Sequence, residues 1–280
     1  INSLWKGSMS MATDWKQIGA VKEVQELAYL MWDKNWDEAN GGNITYLLTD
    51  EEVAELGYTP GDGRKVELEI PDGVRGKYVL VTATGSYFRE LRDDPDHLLG
   101  ICYIPEEGDY YEIAYGLIDN KPSSEFPAHL AAHAARLAVD PEQRVVMHNH
   151  ATNVLAMTHV GPTDEKEFTL ALWRLIPEAI VLFPEGVGLV PFMVCGTQEI
   201  ADATLEKMKD CRFVVWQYHG VFSVGKSLHD AFGLLETVDK VAGVYMDIQK
   251  SGKYNGGIDN DGLRALCKRF NLTPRAGYID

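Results

Sequence analysis

Short apolar runs of four to seven residues alternate along this chain with segments whose apolar residues recur every three or four positions. That alternation disfavours an all-helical bundle and a pure β-sandwich, and leaves a sheet covered by helices. Strands are expected at 44–48, 78–84 and 144–147, at 213–218, and as a pair at 101–104 and 110–114 across the turn Glu106-Glu107-Gly108-Asp109. A first helix, capped by Asp14 and running to about Asn35, would place Ile18, Val21, Ala28, Met31 and Trp32 on one face. Another is expected at 126–138, with Ser123 and Ser124 placed to cap it and Pro127 tolerated in its first turn. Further helical patterns occupy 153–159, 165–175 and the stretch after Gly196 to about 209. A long amphipathic one carries Leu228, Ala231, Leu235, Val238, Ala242, Tyr245 and Ile248. With no repeat or linker between them, these elements predict a single α/β domain over residues 9–280, a mixed sheet flanked by helices.

Composition narrows the function mainly by exclusion. The 280 residues include 26 basic and 42 acidic side chains, a formal charge of −16. Such a surface repels a polyanion, so nucleic acid is not expected as a partner, although amide donors in a pocket can hold a small anion. Cys102, Cys195, Cys211 and Cys267 are scattered with no C-x-x-C pair, which fits a reducing cytoplasm and not a disulfide framework. No segment approaches the ~18 uninterrupted apolar residues of a membrane span. Residues 1–8 read as a cloning remnant, with native sequence beginning near Met9 or Met11.

His148 and His150 close the run 144–147 as H-x-H. Residues two apart on a strand point to one face, so both imidazoles can reach one point. His219 ends the apolar run Phe213-Val214-Val215-Trp216 and precedes Gly220. Two strand ends delivering three imidazoles would form an open zinc site, with a fourth position for water or substrate. The plainer reading makes them ordinary sheet histidines bonded to backbone groups. His129 and His133 form a rival pair at i and i+4, but Leu130 stands where a zincin glutamate would, so a hydrogen-bonding or packing role is expected. His97, His159 and His229 are expected to be solvated or core residues.

Two acids attract attention. Glu125, behind two serines, is either a first-turn acid complementing the helix dipole or an acid–base group aimed from a rigid helix end. Glu178, within Ile176-Pro177-Glu178-Ala179, is either a surface glutamate or a proton donor whose pKa its apolar neighbours raise. Two glycine turns, Asn40-Gly41-Gly42-Asn43 and Thr84-Gly85-Ser86, can bring amides close to phosphate, or can simply be a helix cap and a hairpin turn. Neither fits G-x-G-x-x-G or a P-loop, so no nucleotide is expected.

Taken jointly, Asn40-Gly41-Gly42-Asn43-Ile44-Thr45, Thr84-Gly85, Ser123-Ser124-Glu125-Phe126-Pro127-Ala128-His129, His148-Asn149-His150-Ala151-Thr152-Asn153 and His219-Gly220-Val221-Phe222 run in the order found in class II sugar-phosphate aldolases. From about Leu27 to Pro274 the chain resembles this aldolase/adducin superfamily. The resemblance implies a mainly antiparallel sheet and one Zn2+ per subunit on His148, His150 and His219, with Glu125 as resting-state fourth ligand and base. It implies phosphate contacts from Asn40, Gly42, Asn43, Thr84, Gly85, Ser123 and Ser124, and proton handling at the aldehyde by Glu178. It further implies a homotetramer in the cytoplasm. Leu172-Trp173, the run 183–188 and the ending 268–274 point to the branch acting on L-rhamnulose 1-phosphate, with dihydroxyacetone phosphate and L-lactaldehyde as products of a metal-stabilised enediolate route. Relatives carry a lysine in the phosphate turn where this chain has Ser86. Competing readings are a related sugar-phosphate aldolase, a pentulose-phosphate 4-epimerase, and a non-catalytic adducin-like binding module.

Overall fold

A computed structural model describes residues 14–280; the expected remnant at 1–8 lies outside them. Nine strands form one sheet: β1 (Asn43–Leu47), β2 (Arg64–Glu67), β3 (Tyr78–Thr82), β4 (Leu99–Tyr103), β5 (Tyr110–Gly116), β6 (Val145–Asn149), β7 (Gly188–Val190), β8 (Phe213–Trp216) and β9 (Gly220–Gly225). Their order is β2-β5-β4-β3-β1-β6-β9-β8-β7. Every pairing is antiparallel except β7 with β8. The mixed, mainly antiparallel sheet is therefore as expected. Among the described residues ten α-helices flank it: α1 (Gly19–Asp33), α2 (Asp50–Leu56), α3 (Pro95–Leu98), α4 (Phe126–Val139), α5 (Thr152–Val160), α6 (Glu165–Trp173), α7 (Pro177–Leu182), α8 (Gln198–Met208), α9 (Leu228–Ser251) and α10 (Asn260–Phe270).

Side-chain alternation sorts the two faces. On β6, Val145 and Met147 join the large core built with α1, α5, α6 and α9, while Val146 packs with residues of α4 and α8. On β8, Phe213 and Val215 point one way and Val214 and Trp216 the other. Strands in the middle are buried on both faces, which explains why they read as continuous apolar runs. The exception is β2, a mostly exposed edge strand with the polar sequence Arg64-Lys65-Val66-Glu67.

Two expected caps are replaced. Asp14 caps a short 3-10 turn, Trp15–Gln17, and α1 begins only at Gly19 behind Ile18, which makes no side-chain cap bond. The residue at the start of α4 is Glu125 itself, and the Ser123 hydroxyl accepts a 3.3 Å bond from the Glu125 amide instead of capping α4. Pro127 does sit in the first turn. The expected strand 213–218 ends early because Tyr218 turns into the left-handed region at φ 63°, and β9 folds straight back on β8.

Candidate active site

The end of β6 delivers the first two histidines. His148 lies opposite Asn43 of β1 and Phe222 of β9, and its ring stacks on Phe222 at 4.5 Å. Asn149 points to the other face, against the Met31 sulfur, so His150 returns to the face of His148. The turn joining β8 to β9 brings in His219, whose ring centre lies 5.3 Å from that of His148 and 5.1 Å from that of His150. One ligand atom from each of the three lies within 4.8 Å of the others, a set that could hold a metal ion.

The protonation pattern suits that use. His148 Nδ1 is 3.0 Å from the Val221 carbonyl oxygen, which can only accept, so Nε2 keeps its lone pair. His150 has its Nδ1 on the Glu38 carboxylate and its Nε2 buried without a hydrogen-bond partner. A buried lone pair without a donor is costly, and a cation facing it would satisfy it. Burial, then the neighbouring His150 and His219, holds His148 well below the usual histidine range; burial and His150 lower His219 too. Neutral imidazole is the form that ligates. Gly220 makes room: a Cβ there would meet the Asn149 carbonyl at 2.4 Å, His150 Cδ2 at 2.8 Å and His148 Cε1 at 3.2 Å.

Glu125 stands beside this set. Its Oε2 is 3.9 Å from His148 Nε2 and accepts a 2.8 Å bond from Asn43 Nδ2. The expected anion turns converge on it. Residues 82–84 pair with 121–123 through the Ser123 amide on Thr82 and the Thr84 amide on Lys121, which sets Thr84-Gly85 beside Ser123-Ser124. Gly85 adopts φ 71°, and both Gly85 and Asn40 are exposed. The Gly42 amide is already engaged, donating to the buried Asp37 carboxylate at 2.8 Å, while Asp37 also accepts from the Phe88 amide at 3.3 Å. Asp37 thus ties one turn to the other, and burial raises its pKa to about 6. Ser86, where the resemblance would place a lysine, is buried and gives its hydroxyl to the Ala83 carbonyl.

The rival histidines have the expected packing role. His129 Nδ1 and His133 Nε2 both meet the Thr45 hydroxyl at 2.8 Å beneath the site. Burial drives each pKa down to about 3. His97 pairs with Asp94, His229 with Glu23, and His159 packs on Tyr218, all three exposed. Glu178 is not brought to the histidines. Its apolar neighbours Ala179 and Ile180 turn inward, while Glu178 is exposed on the first turn of α7 and lines a cavity of about 910 Å³ to which none of the three histidines contributes. A separate recess of about 600 Å³, walled by Leu68, Ile70, Ile200, Trp216 and Phe222, reaches Ser124 and Glu125.

Sequence reading missed three acids. Asp37 and Glu38 precede the Gly41-Gly42 turn with no pattern to mark them. Asp239 of α9 is buried and accepts from the Asn153 amide at 2.9 Å, Asn153 Nδ2 at 2.8 Å and the Trp36 indole at 3.2 Å. An acid next to the apolar stripe of α9 was the one available signal.

A family model described as the class II aldolase and adducin N-terminal domain matches residues 22–246. The chain belongs to the class II aldolase and adducin family. Within the family, a rhamnulose-1-phosphate aldolase of Listeria monocytogenes serotype 4a (strain HCC23) is 44% identical over 266 residues, covering 93% of this chain and 96% of its own. Another of that name from Enterococcus faecalis is 42% identical, covering 93% and 94%. The crystal structure of a sugar-phosphate aldolase from Thermotoga maritima superposes with TM-score 0.70 at 30% identity, covering 85% of this chain and 98% of that one. By these similarities the protein is a class II aldolase, a carbon–carbon lyase.

Proposed function

We propose that this class II aldolase reversibly cleaves L-rhamnulose 1-phosphate to dihydroxyacetone phosphate and L-lactaldehyde, with one Zn2+ per subunit on His148, His150 and His219. The observation that carries the reading is the similarity to rhamnulose-1-phosphate aldolases along nearly the whole of both chains, together with three imidazoles gathered at two strand ends. Nitrogen ligands at an open site suit zinc. Zinc, when bound, would act as the electron sink that accepts charge from the ketone oxygen.

The remaining work falls to side chains. In cleavage the C4 hydroxyl loses its proton, the C3–C4 bond breaks, and its electron pair moves toward the C2 carbonyl. Glu125 then gives a proton to C3, and in synthesis takes one from that carbon. The Asn43 amide holds the Glu125 carboxylate in place, and α4 supplies a rigid base for it. Asn40, Asn43, Thr84, Gly85, Ser123 and Ser124 surround the phosphate with neutral donors, while Gly42 contributes the close approach of its turn. Neutral donors suit a chain of formal charge −16 that has Ser86 in the lysine position. Glu178 handles the proton of the C4 oxygen. Its distance from the histidines of its own chain fits service to a neighbouring subunit in a homotetramer. Four free cysteines suit a cytoplasmic enzyme, and the proposed enzyme is one domain spanning 9–280.

The test is release of dihydroxyacetone phosphate from L-rhamnulose 1-phosphate by protein of measured zinc content, before and after chelation. Zinc-dependent release is expected. Bound zinc without release would shift the assignment to another sugar phosphate or to pentulose-phosphate 4-epimerisation. A zinc-replete preparation that binds no metal would favour an adducin-like binding module.

A further inference from the structure

His148 and His150 are held by different partners on the nitrogen that points away from the histidine cluster. For His148 it is a neutral backbone carbonyl, that of Val221. For His150 it is the Glu38 carboxylate. The ring is clamped from two more directions. Its own amide donates to the Trp36 carbonyl at 2.8 Å, and Gly41 lies so close that a Cβ there would come within 2.9 Å of both Cε1 and Nδ1. The Gly41 amide in turn donates to the Glu38 carbonyl at 3.0 Å, closing residues 38–41 into a turn over the Nδ1 edge of the ring. That edge cannot shift without opening the turn, and the opposite nitrogen, Nε2, is the buried one without a partner.

We infer that Glu38 is the positioning residue for His150, fixing its proton on Nδ1 and strengthening Nε2 as a metal ligand. An anion on one imidazole nitrogen increases electron density at the other and penalises the tautomer that would block ligation. Glu38 is 70% exposed, so its contact with His150 contributes little to folding. Its consequence is therefore at the metal. This inference rests on the zinc reading of the three histidines.

The experiment measures the zinc dissociation constant of the full chain by competition with a chromophoric chelator, for the unsubstituted protein, Glu38→Ala and Glu38→Gln. Loss of a partner of this kind weakens metal binding by about 10–100-fold. Glu38→Ala should fall in that range, and Glu38→Gln, which keeps an acceptor oxygen but no charge, should fall between it and the unsubstituted protein. The visible spectrum of Co2+-substituted protein should change in the same order. A Glu38→Ala affinity within twofold of the unsubstituted protein overturns the role of Glu38 and leaves the histidine site standing. If Glu38→Ala does not fold, Glu38→Gln decides alone, with unchanged affinity again overturning the role. An unsubstituted protein that binds no zinc overturns both readings.

Discussion

Two imidazoles buried against one hydroxyl make an acid-labile point that can be isolated by substitution. His129 and His133 have pKa values near 3 against an ordinary 6.5, with burial as the first cause for both. Between those values the unfolded chain binds protons that the folded chain refuses. Stability from these sites is therefore complete above about pH 7 and declines as the pH falls. At pH 5, one and a half units below the ordinary value, each site costs about 2 kcal/mol when taken alone, at roughly 1.36 kcal/mol per unit. His129→Gln keeps an amide to bond the Thr45 hydroxyl but does not titrate. Urea unfolding of metal-free protein at matched concentration, at pH 7 and pH 5, should give the unsubstituted chain a drop larger by about 2 kcal/mol than that of His129→Gln. The comparison cancels every other titrating group common to the two. Drops that agree to within about 0.5 kcal/mol would refute the burial argument, because they would mean that His129 takes up its proton in the folded state.

Gly220→Ala places a methyl 2.4 Å from the Asn149 carbonyl and against both His150 and His148. Displacing those rings by even ~1 Å should lower cleavage about 100-fold, with zinc affinity falling alongside it; steady-state kinetics and metal titration check both. Asp37→Ala leaves the Gly42 and Phe88 amides buried without an acceptor, at about 1–3 kcal/mol each, so thermal unfolding should come earlier. Because both anion turns loosen together, KM should rise more than kcat falls.

The fold and the site were legible in the sequence to different depths, for physical reasons. His148, His150 and His219 stood out because each ends a buried apolar strand, and strand ends obey the period-two rule over short distances. β9 did not stand out: with glycine at both ends and Ser223 inside, Gly220–Gly225 lacks the apolar density of its neighbour β8. β2 was hidden because an edge strand needs no apolar alternation. The helix α2 did carry a readable sign, the box formed by Thr49 and Glu52, which both make their reciprocal bonds. Ser123 and Ser124 misled because both serine and the following acid are acceptable helix starters, and only the path of residues 121–123 along β3 decides between them. Glu38 and Asp239 act through partners far away in the chain, and Asp37 joins its near neighbour Gly42 to the distant Phe88, relations no local pattern encodes.

The placement of Asn149 between two histidines has a consequence for how the chain reaches its native pairing. Asn149 faces Met31 of α1 only because β6 lies in one particular alignment between β1 and β9. A slip by one residue would carry both imidazoles through the sheet to the α1 side and strand His219 alone. An ion held jointly by the three would therefore act as a proofreader of strand alignment: it would reward one pairing and give nothing to the neighbouring ones.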